Sequence, residues 1–215
     1  DEQGAHLSIN AVELRCAMAA VAPVVQPIAR MQTTWTVHAD GSIALRMDVE
    51  RDTEFPFLPR FGIRMMLPRA MRNVVYCGYG PGESYVDKHR ACGHGMFEGT
   101  PPTLGEREIR PQENGNRHDC DWASVAGDGV ALIVLRGDGV QPARACDFQA
   151  IDYTAEEMTR AAHDFELEPA GATVVSVDYM QSGIGSNSCG PELLPQYRLD
   201  EPEFRFAVTL RPQSA

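Results

Sequence analysis

Long hydrophobic runs are missing from this sequence, and so is an excess of positive charge. No apolar stretch approaches the roughly 20 residues that a membrane-spanning helix needs, so we expect no transmembrane segment. The chain carries 19 Lys and Arg against 30 Asp and Glu, a formal net charge of -11. Such a balance repels nucleic-acid phosphates and anionic lipid surfaces, so we expect no nucleic-acid or membrane partner.

Cysteine is sparse, and the cysteines lack the paired spacing of a disulfide framework. The six positions are Cys16, Cys77, Cys92, Cys120, Cys146 and Cys189. A chain of 215 residues can bury a core without covalent staples, and its first residues lack the basic and apolar regions of a signal peptide. We therefore expect reduced thiols, one domain over residues 1–215 and a cytoplasmic location.

Helical periodicity is rare, whereas apolar and polar residues alternate in many short segments. The clearest case is a hairpin in which Asp40 and Gly41 supply the turn between two alternating segments. Further strands are predicted at 7–11, 61–67, 122–125, 130–135, 148–153, 173–179 and 204–210. No repeat or linker divides the chain, so the pattern predicts an all-β antiparallel sandwich of two sheets.

Two other segments depart from the strand pattern. Residues 154–163 predict one short helix, in which Thr154 caps the first turn and Glu157 reaches back to complete a capping box. Residues 91–106 are rich in glycine and proline, with two consecutive prolines at Pro101 and Pro102. This composition predicts a long surface loop.

Three glycine-rich motifs stand out between and after the strands. The first, YCGYGPGESYVDK at 76–88, contains Gly78, Gly80, Pro81, Glu83, Tyr85 and Asp87. The second, PQENGNR at 111–117, contains Glu113, Asn114 and Gly115. The third, GIGSNSCGP at 183–191, contains Ser186, Asn187, Ser188 and Cys189. Glycine and proline at such density indicate turns whose backbone shape is specified, rather than phosphate-binding loops.

These three motifs, in this order, resemble the C-terminal, small-chain type domain of the β-galactosidases of glycoside hydrolase family 2. The resemblance covers about residues 43–212. It implies a galactose-mutarotase-like sandwich at the end of a multidomain enzyme whose catalytic carboxylates lie on a separate barrel. The segment that usually opens this domain is missing, so we interpret the chain as a fragment that begins inside the domain.

The resemblance also implies roles for the motifs. Glycine-rich residues 76–88 and 111–117 are expected to be structural, and Ser186, Asn187, Ser188 and Cys189 to approach a galactoside at the domain edge. Some family members carry an aromatic residue at the position of Cys189, which has no ring to stack on a sugar. The parent is expected to use magnesium, sometimes sodium, and to form homo-oligomers in some cases, with no cofactor in this chain.

Two other functions are compatible with the residues. An independent carbohydrate-binding module would bind galactose or lactose without catalysis, and an aldose mutarotase would need a histidine acid and a carboxylate base. The histidines His89, His94, His118 and His163 make the second conceivable. His89, Cys92, His94, His118 and Cys120 could also form a zinc set, but their spacing matches no zinc finger, so we expect no metal site.

Overall fold

The computed structural model describes residues 10–21, 26–137, 145–184 and 192–214, which form two antiparallel sheets. The strands are β1 (Ala11–Val21), β2 (Pro27–His38), β3 (Ile43–Arg51), β4 (Arg60–Pro68), β5 (Asn73–Gly80), β6 (Gly93–Gly99), β7 (Asn116–Cys120), β8 (Trp122–Gly127), β9 (Val130–Arg136), β10 (Cys146–Ile151), β11 (Ala172–Gln181) and β12 (Glu203–Ser214). Helices α1 (Pro101–Leu104) and α2 (Ala155–Arg160) are short, and 3-10 turns span Asp164–Glu166 and Pro195–Tyr197. None of the helices in these ranges is long and apolar enough to cross a membrane.

The larger sheet has eight strands in the order β1-β2-β3-β12-β9-β8-β5-β6, and the smaller has four in the order β4-β11-β10-β7. Their facing sides enclose one core, in which Leu45, Val125 and Val134 of the large sheet and Phe148 and Val177 of the small sheet are fully buried. The all-β antiparallel two-sheet sandwich predicted from the sequence is therefore confirmed. The Asp40-Gly41 hairpin joins β2 to β3 as expected.

The prediction of a long loop over residues 91–106 is wrong, because this region contains β6 and α1. Strand β6 forms the edge of the large sheet, and its glycines Gly93 and Gly95 lie opposite Gly80 and Gly78 of β5. Glycine weakens a strand on its own, but paired backbone hydrogen bonds compensate here. The two prolines occupy the first positions of α1, where no amide donor is needed.

The predicted helix is present as α2, and half of its capping box is formed. The Thr154 hydroxyl accepts a hydrogen bond from the amide of Glu157 at 3.2 Å. The Glu157 carboxylate does not return to Thr154; it pairs with Arg160 and accepts from the amide of Glu168 at 3.2 Å. Thr154 thus caps the first turn as expected, whereas Glu157 binds Arg160 and Glu168 instead of Thr154.

The two central strands of the small sheet, β10 and β11, are buried on both faces, although the outer face carries polar residues. Phe148, Val175 and Val177 face the core, so alternation directs Gln149 and Asp178 to the outer face. Both of these polar residues are only 3% exposed. Arg60 of β4 and Glu113, in the loop between α1 and β7, lie against these two residues.

Candidate functional site

The first motif is a turn at the end of β5 that folds around Glu83. The Tyr85 hydroxyl donates to Glu83 Oε2 at 3.3 Å, and the Lys88 ammonium pairs with Glu83 Oε1. Tyr85 is fully buried. Burial, and then the carboxylates of Glu113 and Glu83, raise the pKa of Tyr85 far above its usual value, so the ring keeps its proton.

Glycines in this motif permit close approaches that a side chain would block. A Cβ at Gly78 would lie 2.5 Å from Cys120 Sγ, and one at Gly80 would lie 2.3 Å from the Tyr76 hydroxyl. The peptide bond between Gly80 and Pro81 is cis. The structural role predicted for these residues is consistent with this crowding.

The second motif packs directly against the first. Glu83 Oε2 accepts a hydrogen bond from the Gly115 amide at 2.9 Å, and the Ser84 amide donates to the Asn116 carbonyl at 2.8 Å. Gly115 has a φ of 75°, and a Cβ there would lie 2.8 Å from the Leu104 carbonyl oxygen. Asn114 closes its own loop, accepting from the Glu106 amide and donating to the Gln112 carbonyl.

The third motif meets the first at Asp87. Asp87 Oδ1 accepts a hydrogen bond from the Ile184 amide at 3.1 Å. A Cβ at Gly183 would lie 2.5 Å from the Asp87 carboxyl carbon, so a larger residue there would force this carboxyl group to shift. Residues Ser186, Asn187, Ser188 and Cys189 lie outside the described residues. We call the meeting place of residues 83–87, 113–117 and 183–184 the motif edge.

Glu113, a residue of the motif edge, also belongs to an ion cluster that the sequence did not reveal. Arg60 Nη1 donates to Glu113 Oε2 at 3.0 Å, and Arg60 Nε donates to Asp178 Oδ2 at 3.1 Å. Gln149 Nε2 donates to Glu113 Oε1 at 2.6 Å. Because Arg60 and Asp178 are 118 residues apart in sequence, no local pattern could have paired them.

The charges of this cluster do not balance, since one guanidinium serves two acids. Burial raises the pKa of Asp178 to about 6; Arg60 lowers it, and the nearby Asp147 and Glu113 carboxylates raise it further. Burial also raises the pKa of Glu113, against the effect of Arg60. Loss of hydration is therefore the larger influence on both carboxyl groups.

A hydrogen-bonded pair of His118 and Asp147 lies next to the ion cluster. His118 Nδ1 is 2.8 Å from Asp147 Oδ1, and Asp147 Oδ2 accepts from the Gln181 amide at 2.7 Å. The His118 ring stacks on Tyr79 with 6.1 Å between centroids and lies 5.3 Å from the ring of His89. These contacts hold His118 and Asp147 against each other, rather than on either side of a space for a sugar ring.

The arrangement is suited to fixing loops rather than to acid–base catalysis. Glu113 and Asp178 share Arg60, while Glu83 joins two motifs through an amide and a hydroxyl. Carboxylates with this many donors have few lone pairs left for a substrate. Fold and site together define an all-β sandwich domain in which glycine-rich turns meet over a buried ionic network.

Comparison with known proteins identifies the family. The family model of the "Beta galactosidase small chain" matches residues 2–210, and this chain belongs to that family. The chain is 37% identical over 205 residues to a β-galactosidase of Actinobacillus pleuropneumoniae, covering 94% of this chain and 19% of the relative. It is also 37% identical over 194 residues to a β-galactosidase of Staphylococcus xylosus, covering 90% and 19%. The chain therefore spans about a fifth of the length of these relatives.

Two solved structures are similar at low sequence identity. The galactose 1-epimerase of Lactobacillus acidophilus NCFM aligns with 98% of this chain and 65% of its own, with a TM-score of 0.49 and 8% identity. A GalM/aldose epimerase homologue from C. elegans aligns with 98% and 67%, with a TM-score of 0.46 and 8% identity. Similarity at this level carries no conclusion about activity.

Replacement of Arg60 should destabilise the domain far more than replacement of Arg64, which lies four residues further along β4. Arg60→Met leaves the buried Asp178 and the partly buried Glu113 without their cation, and we expect a loss of roughly 3 kcal/mol in the free energy of unfolding. Arg64 pairs with the exposed Glu156, so Arg64→Met should cost less than about 1 kcal/mol. Urea denaturation of both variants measures the difference, and equal losses would contradict the proposed weight of the cluster.

Asp178 should make stability fall as pH rises from about 4 to 6. Its pKa is raised from 3.8 to about 6 in the folded state, so in this window the folded chain holds a proton that the unfolded chain has lost. The stability advantage of wild type over Asp178→Asn should therefore shrink as pH increases. Glu156, whose pKa is lowered to about 2, is the control of opposite sign: the advantage over Glu156→Gln should grow as pH rises through its titration. Denaturation curves at several pH values test both slopes.

Proposed function

We propose that this chain is a non-catalytic domain of a β-galactosidase that packs on the remaining domains and shapes the outer part of the galactoside site. Membership of the small-chain family supports the link to β-galactosidase. Coverage of only 19% of each of two relatives supports the existence of further domains in the parent. The parent would hydrolyse terminal β-D-galactosides through carboxylates located elsewhere.

The contact between Asp87 and Ile184 carries the sugar-site part of this proposal. It fixes the backbone immediately before residues 185–191, which include the four positions proposed to approach the galactoside. Glu83 in turn fixes the turn that holds Asp87, through the Gly115 amide. A rigid base on one side of a loop limits the positions that the loop can adopt, which favours a defined binding surface.

An uncovered apolar strip on β1 and β2 is the surface proposed to pack on the rest of the parent. Val12, Leu14, Met18 and Val37 are 61%, 58%, 51% and 45% exposed. Leu14 lies opposite Trp35, which packs against the core, so the strip continues the core side of the large sheet beyond the small one. The occupant we propose is another domain of the same polypeptide, because the relatives are about five times as long as this chain.

The proposed compartment is the cytoplasm. All five cysteines of the described residues carry free thiols, and two of them, Cys120 and Cys146, are fully or nearly fully buried. Burial raises the pKa of Cys146 to about 12, and that of Cys120 is also raised by burial. Buried neutral thiols of this kind behave as small apolar core residues and suit a reducing environment.

The purified chain alone should not hydrolyse a chromogenic β-galactoside. Activity should appear when the chain replaces the matching segment of the Actinobacillus pleuropneumoniae enzyme, because the domain then completes a site formed elsewhere. The same enzyme with the segment deleted is the control and should be inactive or poorly folded. Turnover by the chain alone would mean that the catalytic carboxylates lie in it; a deleted enzyme with normal turnover would remove the proposed role.

Within that chimera, Asp87→Ala should weaken substrate use without unfolding the domain. Loss of the acceptor for the Ile184 amide frees the start of the sugar-facing segment, and we expect KM to rise several-fold while the thermal midpoint changes little. Asp128→Asn, in the β8–β9 turn at the opposite end of the sheet, is the matched control and should leave KM unchanged. An unchanged KM in Asp87→Ala would argue against a link between this contact and the galactoside.

The same preparations separate the two alternative functions. Saturable binding of galactose or lactose by the chain alone would favour an independent carbohydrate-binding module. Faster relaxation of the optical rotation of freshly dissolved galactose would favour a mutarotase. The direct bond between His118 and Asp147 supports neither, because it leaves these two groups engaged with each other.

A further inference from the structure

Three metal-ligating side chains lie together beside the motif edge and take no part in it. Cys77 of β5, His94 of β6 and Asp121, between β7 and β8, place a sulfur, a nitrogen and an oxygen within 4.8 Å of one another. In the part of the chain that the structure describes, no other group of three His, Cys, Asp or Glu side chains is this compact. We propose that Cys77, His94 and Asp121 bind a zinc-like divalent cation.

The backbone of the large sheet sets this arrangement. In the β5–β6 pairing Cys77 lies opposite Met96, and His94 lies opposite Tyr79. Directly opposite residues share a face, as do residues two apart on one strand, so Cys77 and His94 are diagonal neighbours on the same face. The Asp121 amide donates to the Cys77 carbonyl at 2.8 Å, which holds the third ligand beside the first.

The two oxygens of Asp121 have separate roles in this geometry. Arg136 Nη1 lies 3.0 Å from Asp121 Oδ1, while Asp121 Oδ2 lies 3.8 Å from His94 Nε2. Donor atoms around a tetrahedral zinc are about 3.4 to 3.6 Å apart, given metal–ligand distances of about 2.0 to 2.3 Å. All three donor atoms lie within 4.8 Å of one another, so side-chain rotations that bring them closer would close the site, and Arg136 would remain as an outer partner that orients the carboxylate.

The donor set selects the type of metal. Thiolate, imidazole and carboxylate together suit zinc and its spectroscopic substitute cobalt, whereas magnesium and calcium prefer oxygen alone. His94 is exposed and the other two ligands are partly buried, so an ion can enter from solvent. Three protein ligands leave a fourth position for water. His94 Nε2 also lies 3.1 Å from the Asp119 carbonyl oxygen, and metal binding has to displace that hydrogen bond.

This set differs from the five-residue zinc set considered from the sequence, with which it shares only His94. His89 Nδ1 is 2.8 Å from the Tyr85 carbonyl oxygen, and His118 is bound to Asp147. Cys120 is fully buried and donates towards the Arg117 carbonyl. The ligands Cys77 and Asp121 come together through strand pairing, which spacing along the chain does not display. The proposal is independent of the galactosidase role.

Titration of the metal-free chain with Co²⁺ tests the site. We expect one Co²⁺ per chain and a thiolate-to-cobalt charge-transfer band in the near ultraviolet. Cys77→Ser should abolish the band, and Asp121→Asn should weaken binding at least about tenfold. Cys92→Ser is the matched control and should bind as wild type does. No band at saturating Co²⁺, or a band that survives Cys77→Ser, would overturn the proposal.

Alkylation of the wild-type chain gives a second measurement that needs no variant. Zn²⁺ should slow the reaction of iodoacetamide with Cys77, followed by peptide mass spectrometry, and leave the rate at Cys16 unchanged. Cys16 is a suitable reference because it is also partly buried and lies on the edge strand β1. Equal rates at Cys77 with and without Zn²⁺ would refute the site even if the Cys77→Ser variant folded poorly.

Discussion

The polar outer face of the small sheet is the constraint on which the rest of this structure depends. Gln149 and Asp178 point away from the core and are nevertheless almost fully buried. A buried carboxylate without a partner costs several kcal/mol, so Asp178 requires a donor, which comes from the neighbouring strand β4. Arg60 meets that requirement for Asp178 and also binds Glu113, which belongs to the second motif. The position of that motif thus follows from the need to satisfy one sheet face.

Much of the fold could be predicted because its strands alternate. Segments such as those of β3 and β4 place apolar residues at every second position, with interruptions at Ala44 and Met66, and alternation of this kind reports burial on one face. The method failed where strands do not alternate in this way. Strand β6 contains three glycines in seven residues, and β7 reads Asn-Arg-His-Asp-Cys, with no apolar face to detect. Both exist because neighbouring strands supply hydrogen-bond partners, which a local pattern does not show.

Prediction of the site was limited in the same way. Gly78, Gly80 and Gly115 could be recognised because glycine is favoured wherever another backbone or side chain approaches closely. The glycine itself marks such a position in the sequence, without knowledge of its neighbours in space. The partners of Glu113 could not be recognised, since Arg60 and Gln149 are 53 and 36 residues away from it. Contacts between side chains that strand pairing brings together can be identified only when the register of the strands is known. The grouping of Cys77 with Asp121 has the same origin.

A buried ionic network is a costly way to stabilise a sandwich, because well-packed apolar residues often do as well or better. What such a network adds is direction. Apolar contacts allow a loop to slide by fractions of an ångström, whereas hydrogen bonds from Arg60 to Glu113 and from Gly115 to Glu83 fix both distance and angle. A domain proposed to shape a sugar site without reacting with the sugar needs this property at the motif edge more than it needs extra stability. The charge imbalance around Arg60 then follows from the use of one cation by two carboxylates, Glu113 of the second motif and Asp178 of β11.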